Sequence, residues 1–124
     1  MVDKLKQILS QIKADRGAVT LFAIIKMDEI TDKWSVFLSA PWINEQNMSE
    51  VFSYVRSLLL QSLTEEEKST IARISIFSSN EHIIQLITTA IKVEAGSIAT
   101  IKDTQLNGYK IHEAYIFESN SVLP

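Results

Sequence analysis

Cysteine is absent from the 124-residue sequence. Disulfides, thiolate metal ligands and a cysteine nucleophile are therefore excluded, and a reducing, cytoplasmic setting is the expected one. Histidine is scarce: His82 and His112 are the only two. A zinc site needs three or four ligands, and no His-x-x-x-His or comparable spacing occurs. Glycine appears three times, at Gly17, Gly96 and Gly108, so neither Gly-x-Gly-x-x-Gly nor a Gly-x-x-x-x-Gly-Lys phosphate loop exists. No Gly-x-Ser-x-Gly elbow is present either. Proline occurs twice, at Pro41 and Pro124, and no linker composition is visible. The expectation is one domain over 1–118 with a polar tail at 119–124. The longest apolar stretch, Ala18 to Ile25, already contains Thr20, far short of the roughly 18 residues of a membrane span. The start, Met1-Val2-Asp3-Lys4, reads as a polar helix rather than an apolar leader, so no membrane partner is expected.

Basic residues are not in excess. Twelve Lys and Arg stand against 15 Asp and Glu, for a net charge of −3. An acidic domain repels phosphate backbones on average, which disfavours a nucleic-acid partner. The densest basic group, Lys4, Lys6 and Lys13, has Asp3, Asp15 and Arg16 around it.

What is present is pattern. Leu5, Ile8, Leu9 and Ile12 recur at helical spacing, and Gly17 suits the end of that helix. Ala18 to Met27 is a β-branched, aromatic run without helical period, as expected of a strand covered on both faces. Trp34 to Ala40 is a second strand, close enough for an antiparallel hairpin and stopped by Pro41. Asn47 and Glu50 have the spacing of a capping box, followed by the helical set Val51, Phe52, Val55, Leu58 and Leu59. Thr64 and Glu67 form a cleaner box, with Glu65, Glu66 and Glu67 at the positive end of a short helix. Ile71 to Phe77 reads as a strand. Ser79-Asn80-Glu81 opens a helix that carries Ile83, Ile84, Ile87 and Ile91 and stops near 94–96. Ser97 to Ile101 and Lys110 to Phe117 are strands, the second following the hairpin dipeptide Asn107-Gly108. The order α-β-β-α-(α)-β-α-β-β predicts an α/β (α+β) single-domain fold, a mixed sheet of about five strands with helices packed on it. Strand order is left open by this pattern.

Chemistry-bearing residues form no convergent set. Asp28, Glu29 and Asp32 lie in a turn without the Asp-x-Asp-x-Asp-Gly spacing of a calcium loop, and solvated turn charges explain them better. Glu66-Glu67-Lys68 echoes the Glu-x-Lys of some nucleases but falls on a helix start. Three features stand out. Trp34 and Trp42 bracket one strand, and Trp42, in the loop after Pro41, serves either as a lid on the core or as an interface anchor, with the lid favoured. The helix of Ile83 and Ile87 is apolar beyond one stripe, which suits burial by two layers or a subunit interface. Arg73, within an apolar strand, calls for a carboxylate partner, Glu113 or Asp32, or for an edge position. The expected function is a non-enzymatic protein-interaction or accessory module whose partner is another protein or a second copy, with Trp34, Trp42, Ile83 and Ile87 as contact candidates. No cofactor, metal site or catalytic residue is expected, and a small-molecule ligand is left open. The alternatives are a metal-assisted hydrolase or nuclease on Asp28, Asp32 and Glu113, and a nucleic-acid-associated regulator acting through Lys4, Lys6 and Lys13.

Overall fold

The computed structural model describes residues 1–27, 32–94 and 96–120. Helix α1 (Val2–Arg16) buries Leu5, Ile8, Leu9 and Ile12 and ends at Gly17, whose φ of 112° favours a residue without Cβ. Strands β1 (Leu21–Met27) and β2 (Trp34–Ser39) pair antiparallel, from Leu21 opposite Ser39 to Ile25 opposite Ser35. Both are buried along nearly their whole length, which accounts for their unbroken apolar runs. Helix α2 (Met48–Ser62) and the single turn α3 (Glu65–Lys68) cross back to β3 (Ile71–Phe77), which runs parallel to β2. Helix α4 (His82–Ala90) leads to β4 (Ala99–Leu106) and β5 (Tyr109–Ser119). The sheet order is β3-β2-β1-β5-β4, and β1–β5 and β4–β5 are antiparallel. The element order matches the one the sequence predicts, and the fold is a five-stranded mixed sheet with helices on both faces.

Local signals fail where the surroundings offer something stronger. Asn47 makes no side-chain cap on α2. Its Oδ1 instead accepts from the Asn44 amide at 2.9 Å and its Nδ2 donates to the Trp42 carbonyl at 2.8 Å, so it ties the loop rather than the helix. Glu50 is held by Arg16 of α1, not by the helix start. The Thr64–Glu67 box is complete in both directions. Helix α4 stops at Ala90, earlier than its apolar pattern, because Val93 must bridge Ser119. β4 begins later and runs longer than Ser97 to Ile101, and β5 continues two residues beyond Phe117. Asn107 and Gly108 take φ of 44° and 95°, the two positive values a tight hairpin turn requires.

Two cores sandwich the sheet. Phe22, Ile24, Val36, Leu38 and Phe117 face α1 and α2, whereas Leu21, Ala23, Ile25, Phe37 and Ile116 face α4. Full burial of a side chain such as Phe22 or Phe117 contributes about 2–3 kcal/mol. A bulge between Phe22 and Ala23 of β1 lets two successive residues of β5 reach the α1 side. Phe117 stacks on Phe22 at 5.8 Å, and the next residue, Glu118, accepts from Lys13 of α1 at 2.8 Å. Glu118 is 4% exposed, a buried carboxylate made tolerable by that cation and by the Asn120 amide.

Candidate functional site

Trp34, Trp42, Ile83 and Ile87 each pack in or against one of the two cores. Trp34 is 8% exposed and packs on Tyr115 at 5.6 Å, with the Lys26 ammonium 4.5 Å from its ring centre. Trp42 is half-buried against the first core, and its indole Nε1 donates to the Ala18 carbonyl at 2.9 Å, the geometry of a lid. Ile87 is buried and Ile83 half-buried, both in the second core. The sheet keeps the two pairs apart, so Trp34, Trp42, Ile83 and Ile87 form no common surface.

Arg73 and Glu113 are not brought together. Arg73 lies in β3, Glu113 in β5, and β2 and β1 stand between them. Glu113 sits opposite Lys26 in the register, with a 4.0 Å ion pair. Arg73 is exposed on the outermost strand, and no described residue forms an ion pair with it. Asp28 and Glu29 lie outside the described residues. Asp32 is exposed, and among the described residues no group of three or more His, Asp or Glu is arranged to hold a metal. The lysines of α1 are turned to internal use. Lys4 pairs with Glu67 at 2.7 Å, Lys13 with Glu118, and Lys6 donates to the Gly96 carbonyl.

The structure instead draws attention to β3. It is an edge strand with only β2 beside it among the described residues. Its side chains alternate between two clefts. Arg73, Ser75 and Phe77 line a cleft of about 300 Å³ on the α4 side, together with Ser35, Phe37 and His82. Ile76 lines another of about 400 Å³ on the α2 side, together with Met48, Ser49, Phe52 and Ser53. Among the described residues, Phe52 and Leu60 are the large apolar ones left open, 39% and 42% exposed, and both lie on α2. Helical period alone groups Phe52 with the buried set. It falls at the margin of the stripe formed by Val51, Val55 and Leu59 and projects beside β3. The signal that separates it from the core set is the spacing Phe52, Arg56, Leu60, a second stripe at i, i+4, i+8.

The opposite side of α2 is firmly docked. The Tyr54 hydroxyl donates to Asp15 at 2.6 Å, and the Arg16 guanidinium lies 4.3 Å from the Tyr54 ring centre while gripping Glu50. These bonds hold the carboxyls of Asp15 and Glu50 below the ordinary range, and partial burial with the Asp15 bond pushes the Tyr54 phenol up. At its entry, β3 is anchored by Glu67. Lys4, the Thr64 amide and the amino group of Met1 all bond to this carboxylate and hold it down at about 2. The strand is thus fixed at its base and along one side and open along the other. No protein-family model, curated protein or solved structure matches this chain.

Proposed function

We propose that the protein is a non-enzymatic interaction module that works by accepting a strand on the free edge of β3. The observation that carries this reading is the pairing of an open edge with a cleft on each face. An added strand satisfies main-chain donors and acceptors along β3 and sends alternate side chains to the two clefts, the arrangement by which edge addition combines affinity with specificity. Phe52, beside Ile76 in the α2-side cleft, extends the surface with exposed apolar area. The contact residues in this reading are Arg73, Ser75, Ile76 and Phe77 with Phe52, in place of the two tryptophans.

The test is a photo-cross-linking residue placed at Ala72, on the exposed side of β3, and in parallel at Lys102, on the other edge strand. After irradiation in cells, adducts are expected from position 72 at many times the yield from position 102, and their mass tells the same chain from a different one. Equal yields at the two positions, or none at 72, contradict the reading.

A further inference from the structure

We infer that the strand completing β3 is the β3 of a second copy of this chain, paired antiparallel about a two-fold axis at Ser75. The inference rests on the edge reading above and names its occupant. The regular part of the edge is Arg73 to Phe77, because the register with β2 shifts between Trp34 and Ser35 and leaves Ala72 as an extra residue. Turned on itself about Ser75, this stretch pairs Arg73 with Phe77, Ile74 with Ile76, and Ser75 with its own mate. Directly opposed residues lie on one face with Cβ atoms about 4.5–5.5 Å apart.

Each of these pairs is complementary. On the α4 side, the guanidinium of Arg73 reaches the Phe77 ring of the second copy, a cation–π contact. The fold uses that contact twice already, Lys26 on Trp34 and Arg16 on Tyr54. Glu81 lines the same cleft as Phe77, so the entering Arg73 also meets an exposed carboxylate. On the α2 side, Ile74 and Ile76 form an apolar pair covered by Phe52. No like charges are opposed. The contact is isologous and closes at two copies. The joined sheets end in two β4 strands, each carrying Asp103 at φ 47°.

The test uses the full chain and its lack of cysteine. Ser75→Cys puts one thiol on the axis, where opposed Cα atoms of an antiparallel pair stand about 4.5–5.5 Å apart, inside the roughly 4.4–6.8 Å span of a disulfide. At a concentration on the order of 100 μM, which saturates a micromolar complex, sedimentation of the wild-type chain is expected to give twice its 14.0 kDa mass. Mild oxidation is expected to make Ser75→Cys a covalent dimer and to leave Lys102→Cys largely unlinked. Arg73→Glu is expected to weaken the dimer at least about ten-fold, losing the ring contact and facing Glu81. A wild-type chain that sediments as a monomer overturns the inference, as does a dimer in which the Ser75→Cys thiols stay reduced. With a monomer, adducts from position 72 to a different chain leave the edge reading standing, and their absence removes both. Should Ser75→Cys lose its melting transition, the wild-type mass and the Arg73→Glu variant decide.

Discussion

At one edge of the sheet, β4 exposes Thr100, Lys102 and Gln105 and is kinked at Asp103, whose φ lies in the left-handed region. At the other, β3 keeps Ile74, Ser75, Ile76 and Phe77 half-buried and regularly paired with β2. Charge and kinks are how edge strands avoid pairing with other chains. β4 has both. β3 has one bulge, at its entry, and one charge, Arg73. That arginine guards the edge against a strand carrying a cation opposite it, but not against one that offers an aromatic ring or a carboxylate. The contrast teaches that the two edges, equal in topology, differ in whether their side chains forbid a neighbour or select one.

The largest effect expected from breaking this contrast comes from Phe52→Asp. It replaces an exposed ring beside β3 with a charge facing the same cleft, once in each copy, and is expected to raise the dimer dissociation constant about 100-fold. Lys102→Asp on β4 is expected to change it by less than about two-fold, as surface charge changes remote from an interface do. Sedimentation equilibrium of the two variants compares them directly, and their melting temperatures show that both fold.

Removing the kink of β4 works from the opposite side. Asp103→Val forces a β-branched residue into φ 47° and is expected to cost about 1–2 kcal/mol in chemical denaturation. Asp103→Gly, which tolerates that angle, is expected to be neutral or stabilising by up to about 1 kcal/mol. If valine costs nothing, the strand has straightened, and the two edges differ less than their φ angles imply.

A smaller effect concerns how β3 is held at its entry. Glu67 has its pKa held down at about 2 against an ordinary 4.5 by Lys4, the Thr64 amide and the Met1 amino group. A carboxyl depressed in the folded state stabilises above its unfolded value, and that contribution is lost as the pH falls from about 4.5 towards 2. Glu67→Gln is therefore expected to lower stability at neutral pH and to flatten the acid limb of the stability profile. The measurement is thermal unfolding as a function of pH. An unchanged acid limb in Glu67→Gln means that the anchor of β3 lies elsewhere.

Much of the fold is legible in the sequence because its signals are local. The stripe of α1, the Thr64–Glu67 box and the Asn107-Gly108 turn each act within a few residues, and each is found as expected. What fails depends on contacts far along the chain. Asn47 gives up its helix to hold the Trp42 loop, and α4 ends early so that Val93 can reach Ser119. Arg73 and Glu113 are a reasonable pair until the strand order separates them. Its other expected place, a sheet edge, is where Arg73 lies. The candidate surface was less legible still. Helical period groups Phe52 with Val51 and Val55, and only the position of β3 beneath α2 shows which margin of that stripe stays open.

The most direct measurement is backbone amide hydrogen exchange over a range of protein concentrations, residue by residue along both edges. Pairing through β3 predicts that alternate amides between Arg73 and Phe77 exchange more slowly as concentration rises, while those of Ala99–Leu106 keep one rate throughout. Protection that rises on β4, or on neither edge, contradicts the account.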